Sequence, residues 1–142
     1  MKLLENKVAI ITGAARGIGE GIALKLAEHG ANIAFTYVRE GSAEKAGILA
    51  EKLAAMGVQA KAYRSNAGSF EECEIFVNDV LATFGKIDIC VNNAGISKDN
   101  LLLRMTPDQW DDVMLTNLKS VFNMTKQVIR PMMKAKSGSI IN

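Results

Sequence analysis

The stretch Thr12-Gly13-Ala14-Ala15-Arg16-Gly17-Ile18-Gly19 most narrows what this chain can fold into. It follows a continuous apolar run, Val8-Ala9-Ile10-Ile11, and opens a segment in which Ile18, Ile22, Leu24, Leu26 and Ala27 recur at mainly helical spacing. A continuous run suits a strand covered on both faces of a parallel sheet, whereas a strand with one wet face would alternate. Strand, glycine turn and helix in that order are the context a phosphate-binding turn needs. One glycine permits the sharp turn, a second lets the backbone approach a pyrophosphate, and a third lets the helix pack closely on the sheet. The helix N-terminus adds free N–H groups and a partial positive charge. The spacing is G-x-x-x-G-x-G, not the commoner G-x-G-x-x-G. A plain tight turn could carry the same letters, so the rest of the chain must decide.

The unit repeats in type. Asn32 to Tyr37 reads as a second strand, Ala43 to Met56 as a helix closed by Gly57, and Gln59 to Tyr63 as a third strand. Ser69-Phe70-Glu71-Glu72 has the S-x-x-E pattern of a capping box and opens a helix that ends at Gly85. Ile87 to Val91 follows as strand four. Thr106-Pro107-Asp108-Gln109 repeats the capping logic with proline at the first helical position, opening one long helix that carries Trp110, Val113, Met114, Leu118, Val121, Phe122 and Val128. Pro131 should bend or fray its last turns, and Ser139 to Asn142 starts a fifth strand. The expected fold is α/β, a Rossmann-like doubly wound parallel sheet of which residues 1–142 form the N-terminal five strands, in the order 3-2-1-4-5, as one domain incomplete at its C-terminal side.

At 142 residues and 49% hydrophobic, the chain can bury a core as one globular domain. Lys plus Arg number 17 and Asp plus Glu 15, a balance too even for a nucleic-acid binder. Val8–Ile11 is too short for a signal-peptide core or a membrane span. Cys73 and Cys90 form neither a CxxC pair nor a zinc knuckle, so free buried thiols, a reducing cytoplasm and no metal are expected. His29, the only histidine, sits where the first helix ends and suits a capping role against the dipole.

Asn92-Asn93-Ala94-Gly95 directly follows strand four. Together with T-G-x-x-x-G-I-G at the first turn, this motif resembles the short-chain dehydrogenase/reductase family through essentially the whole chain. A methyltransferase or epimerase with a related turn would lack it. The resemblance implies that Gly13, Ala14, Ala15, Arg16, Gly17, Ile18, Gly19, Tyr37, Val38, Arg39, Asn66, Ala67, Asn93, Ala94 and Gly95 bind a dinucleotide. Within that set, Asn66 and Ala67 would line the adenine, and Asn93 would touch the ribose near the nicotinamide.

The cofactor is expected to be NADP. A carboxylate at the end of strand two would bind the adenosine ribose of NAD and repel the extra phosphate of NADP. Tyr37 stands there instead, flanked by Arg16 and Arg39, whose guanidinium groups suit a phosphate. The alternative is an NAD enzyme with Glu40 on the ribose and two ordinary solvated arginines.

Members of the resembled family transfer hydride to a carbonyl with a tyrosine, a lysine, a serine and an asparagine. Asn117 matches the asparagine and is the one catalytic residue the resemblance assigns here. The serine and the Y-x-x-x-K pair are expected beyond Asn142, since neither Tyr37 nor Tyr63 has a lysine four residues on. The 142-residue chain, if complete, would bind nucleotide without turnover.

The stretch Gly95 to Met105, with Trp110 and Asn117, looks like the 3-oxoacyl-acyl-carrier-protein reductases of that family. This implies reduction of a 3-oxoacyl thioester on acyl-carrier protein in fatty acid synthesis. It also implies a tetramer and carrier docking at Arg130, beside Lys126, Lys134 and Lys136. A cationic helix end that merely complements its dipole would look the same. Two alternatives stand: a non-catalytic nucleotide-binding or assembly module, and a dehydrogenase for another carbonyl or alcohol. The last strand would be an open edge, with apolar surface beside it.

Overall fold

Val8–Ile11 is buried at every residue and forms β1, the central strand, as a continuous apolar run requires. The computed structural model describes residues 1–142. Beside β1 lie β2 (Asn32–Tyr37), β3 (Ala60–Arg64), β4 (Ile89–Val91) and β5 (Ser139–Ile141), all parallel, in the order β3-β2-β1-β4-β5. The expected topology holds, with strands three and four starting one and two residues later than read from sequence.

Successive side chains of a strand point to opposite faces, so each face gathers its own core. Ala9, Ile11, Ile33 and Phe35 pack with Ala23 and Ala27 of α1 (Gly17–Glu28) and Leu49 and Leu53 of α2 (Ala43–Ala55). Val8, Ile10, Ala34 and Cys90 pack on the other face with Phe76, Val77 and Val80 of α3 (Phe70–Phe84) and with Met124 and Val128. Each isoleucine so enclosed stabilises the fold by about 1.5–3 kcal/mol. Asp88 stitches the start of the sheet, accepting from the Val8 N–H at 2.8 Å while Lys86 lies 3.2 Å from its carboxylate.

Gly30, Gly57 and Gly85 close the first three helices where the sequence places them. At α3, Ser69 accepts from the Glu72 N–H, but the Glu72 carboxylate reaches past Ser69 to the Asn66 N–H, leaving half a capping box. His29 caps α1 with its backbone, and its Nδ1 lies 3.3 Å from the Met1 carbonyl.

The long helix expected from Pro107 is three pieces: α4 (Pro107–Val113), a π-helical turn (Met114–Lys119) and α5 (Ser120–Ala135). A π turn inserts extra residue length into the spiral and rotates everything after it. The buried stripe of α5 is therefore Ser120, Asn123, Met124, Val128 and Met132, while Trp110, Leu118 and Phe122 remain more than half exposed. α5 accommodates Pro131 and continues to Ala135, where Lys136 ends it in a left-handed conformation. β5 pairs only with β4, so its far edge is open as expected.

Candidate nucleotide-binding site

The glycine turn is bolted to the C-terminal ends of its two neighbouring strands. Thr36 at the end of β2 accepts from the Gly13 N–H through Oγ1 at 3.0 Å, and its carbonyl accepts from the Ala14 N–H. On the other side, buried Thr12 accepts through Oγ1 from both the Asn93 and Ala94 N–H groups, at 3.1 and 3.0 Å. Asn93 returns the contact, its Nδ2 donating to the carbonyls of Thr12 and Gly13 at 3.1 and 3.0 Å. The side-chain amide hydrogens of Asn93 are thus used to hold the turn.

Each glycine has a distinct physical reason. Gly17 has φ of +63°, a region costly for other residues, with open space around a would-be side chain. Gly19 is a matter of approach: a Cβ there would fall 2.6 Å from Asn93 Nδ2 and 2.7 Å from the Gly13 carbonyl oxygen. No side chain caps α1, and the N–H groups of Gly17, Ile18 and Gly19 find no acceptor in the protein. Unpaired donors at a helix N-terminus suit an anion.

Two adjoining cavities open over this turn. The first, about 370 Å³, is walled by Gly13, Ala15, Arg16, Gly17 and Ile18 of the turn. Tyr37, Val38 and Arg39 close it from the end of β2, and Asn93, Ala94 and Gly95 from the end of β4. The second, about 720 Å³, shares Arg16, Arg39 and Gly95 and adds Asn66 and Asn117. Ala14, Gly19 and Ala67 lie behind these walls, buried. Ile18, counted from sequence among the apolar positions of the helix, is 78% exposed and belongs to the cavity rim instead.

Arg16 and Arg39 both face this space, and neither forms an ion pair in the protein. Glu40 lines neither cavity; it begins a 3-10 turn, and Ser42 from that turn takes the wall position. Arg64 pins the same corner, its Nε donating to the Val38 carbonyl at 3.1 Å. Lys98 and Asp112 also line the larger cavity. No motif announces Ser42, Arg64 or Asp112, which arrive through the fold alone.

Asn117 lies in the π-helical turn and spans the larger cavity to Ile96, directly after the Asn-Asn-Ala-Gly stretch. Its Oδ1 accepts from the Ile96 N–H at 2.7 Å and its Nδ2 donates to the Ile96 carbonyl at 2.9 Å. A Cβ on Gly95 would sit 3.3 Å from that Oδ1.

Away from this site, Asp79 accepts from Tyr63 and Lys61 beside β3. The Tyr63 hydrogen bond, followed by that of Lys61, holds the Asp79 carboxyl below its usual range. No group of three His, Cys, Asp or Glu side chains converges as a metal site would require, and no helix is long and apolar enough to cross a membrane. A larger, mainly apolar groove of about 840 Å³ runs along α5, walled by Leu118, Phe122, Ile129 and Ile140, with Asp111, Lys119 and Lys126 also in its lining.

A parallel sheet in this order, with a glycine turn at the C-terminal end of its central strand, defines a Rossmann-like nucleotide-binding fold. The sequence profile described as short chain dehydrogenase matches residues 7–142, and the chain belongs to that family. The 3-oxoacyl-[acyl-carrier-protein] reductase FabG of Staphylococcus epidermidis is 48% identical over 137 residues, covering 96% of this chain and 55% of that protein. Its namesake from Vibrio cholerae is 44% identical, covering 98% of this chain and 54% of its own length. The chain thus spans about half the length of the curated relatives it matches.

A metagenomic short-chain oxidoreductase solved in complex with NADP superposes with a TM-score of 0.90 at 34% identity, covering 98% of this chain and 62% of that one. NAD+-bound xylitol dehydrogenase superposes with a TM-score of 0.91 at 31% identity, covering 98% and 53%. Neighbours with either cofactor share the backbone, so the choice between them rests on side chains.

Proposed function

We propose that this chain forms the cofactor-binding part of an NADP-dependent reductase that converts 3-oxoacyl-acyl-carrier protein to the 3-hydroxyacyl form in fatty acid synthesis. The observation that carries the cofactor reading is the pair Arg16 and Arg39, unpaired and flanking Tyr37 on one cavity with no carboxylate at the end of β2. The substrate reading is supported by the 3-oxoacyl-[acyl-carrier-protein] reductases that are 44–48% identical to this chain.

The residues present fit a dinucleotide. The free N–H groups of Gly17, Ile18 and Gly19 would hold the pyrophosphate, Arg16 and Arg39 the extra phosphate, and Asn66 the adenine edge. When bound, the cofactor supplies a hydride. Asn117 fixes the backbone at Ile96 and so shapes the wall on which a carbonyl substrate would rest. Residues 1–142 contain no tyrosine followed four residues on by lysine, so we expect this polypeptide alone to bind nucleotide without turnover.

The carrier protein would dock where Lys126, Arg130 and Lys134 line a groove of about 520 Å³ between α3 and α5. A cationic surface of this kind steers an acidic partner. The exposed apolar side chains Leu118, Phe122 and Ile129 of α5 support assembly into an oligomer, a tetramer by family resemblance. Both cysteines are free, which suits a cytoplasmic setting.

Fluorescence titration with NADPH and NADH tests the reading directly. NADPH is expected to bind at least tenfold tighter, about 1.4 kcal/mol. Equal affinity, or none for either, overturns the NADP reading. Acetoacetyl thioester with NADPH is expected to show no oxidation of the cofactor by the 142-residue chain.

A further inference from the structure

α5 turns Asn123 wholly into the core, with no exposed surface. Its Nδ2 donates to the Ala67 carbonyl at 3.0 Å, and its Oδ1 is buried without a partner. An unpaired buried carbonyl is destabilising, and a leucine of similar size would fill the place without it. Packing therefore does not account for asparagine here. The atom it holds does.

The Ala67 carbonyl also accepts from Cys73 Sγ at 3.4 Å, so one donor from α3 and one from α5 converge on a single oxygen in the loop after β3. The loop is tied on both sides of that oxygen. The Asn66 N–H donates to Glu72 Oε1 at 3.2 Å, and the Gly68 N–H donates to Asn66 Oδ1 at 2.9 Å. Leu115 of the π-helical turn lies so close to Gly68 that a Cβ there would meet its Cγ at 3.2 Å. Asn66 is the residue of this loop that lines the larger cavity with Arg16 and Arg39. With Oδ1 engaged by Gly68, its Nδ2 has no protein partner and remains a donor suited to a ring nitrogen of adenine.

We propose that Asn123 is a positioning residue for the adenine end of the nucleotide site, holding the Ala67 carbonyl from within α5 so that Asn66 stays on the cavity wall. It never meets the ligand. This role rests on the nucleotide-binding reading and adds to it the residue that sets one wall of the site. It also explains why a buried amide is kept with half its hydrogen-bonding capacity unmet: the donating half must reach Ala67, and no apolar side chain can supply it.

The test uses the full chain and two half-ligands, 2′,5′-ADP for the adenine end and reduced nicotinamide mononucleotide for the other. Asn123→Leu is expected to weaken 2′,5′-ADP about tenfold, leave the mononucleotide unchanged, and speed hydrogen exchange at the Gly68 amide. Its urea midpoint should equal or exceed that of the parent, because the orphaned carbonyl is gone. Cys73→Ala removes the second donor and should shift 2′,5′-ADP binding and Gly68 exchange in the same direction, by about twofold to threefold. Unchanged 2′,5′-ADP affinity with unchanged Gly68 exchange in Asn123→Leu overturns the proposal. So does equal loss of both half-ligands together with a lowered midpoint, the mark of a merely structural residue. If the leucine variant fails to fold, the Cys73→Ala pair of readings decides by the same criterion. A parent chain that binds no 2′,5′-ADP refutes the nucleotide reading itself, whereas Gly68 exchange reports on the Asn123 clamp without ligand.

Discussion

Asn117 holds Ile96 by both ends of its amide, Oδ1 accepting from the Ile96 N–H at 2.7 Å and Nδ2 donating to the Ile96 carbonyl at 2.9 Å. The two residues join the π-helical turn to the strand-four loop across the larger cavity. Two partly solvated hydrogen bonds contribute about 0.5–1.5 kcal/mol each. Asn117→Ala is therefore expected to lower unfolding free energy in urea by about 1–3 kcal/mol and to speed exchange of the Ile96 amide. Asn117→Asp should cost more, since it sets a carboxylate oxygen against the Ile96 carbonyl. An alanine variant as stable as the parent, with Ile96 still protected, would show that the clamp contributes nothing.

Three glycines around the start of α1 should separate by mechanism. Gly21 meets nothing within 4 Å and has an ordinary helical backbone, so Gly21→Ala should stabilise by about 0.5–1 kcal/mol. Gly17→Ala meets nothing either but forces φ of +63° on alanine, at about 1–2 kcal/mol. Gly19→Ala drives a methyl group into Asn93 and the Gly13 carbonyl and should cost about 3 kcal/mol or more. Thermal unfolding of the three variants checks the ranking, and a Gly19→Ala protein as stable as Gly17→Ala would refute the close approach.

Arg16 and Arg39 face the same cavity without internal partners, so their charge is available to a ligand phosphate. A charged hydrogen bond contributes about 1.5–3 kcal/mol. Arg16→Ala should then weaken NADPH by about tenfold or more and NADH by less than twofold, read by fluorescence titration at fixed ionic strength. Equal loss for both nucleotides would sink the assignment of this arginine to the extra phosphate.

What the sequence makes legible here is what local pattern encodes. The unbroken Val8–Ile11 run identifies a doubly covered strand, and Gly30, Gly57 and Gly85 mark the ends of three helices, because period and backbone conformation act over a few residues. The two signature motifs are legible for the same reason. Contacts between distant segments are not. Thr12 reaches Asn93 across 81 residues, and a threonine after an apolar strand carries no mark of that partner. The π-helical turn escapes notice because Met114 to Lys119 contain no glycine or proline to mark a break, and the phase shift appears only in which side chains α5 buries. Asn123 goes unmarked for the same reason: in an uninterrupted helix nothing separates it from the exposed polar residues around it, whereas the shifted face carries it into the core against Ala67.

The thiols give a pH dependence whose sign is fixed by burial. Burial first, and the charge of Glu72 second, push Cys73 up to about 11, and burial, with Cys73 nearby, pushes Cys90 up to about 12. The folded state thus favours the neutral thiols, while the unfolded chain begins to release these protons near pH 8.5–9. Below that value the stability they confer is complete. It is lost as pH rises toward about 11 and about 12, by at most about 1.4 kcal/mol per pH unit for each thiol. Cys90→Ala removes the larger share, since burial pushes that thiol further up, and costs little else, because the side chain makes only a long 3.9 Å contact with Asn92 Oδ1. The variant should lose stability less steeply than the parent between pH 9 and 11, as measured by urea unfolding at fixed ionic strength. At pH 8 both thiols of the folded protein should resist iodoacetamide and react once urea unfolds the chain. Prompt labelling of Cys90 in the folded protein, or parallel pH profiles for parent and variant, would overturn the placement of that thiol in the core.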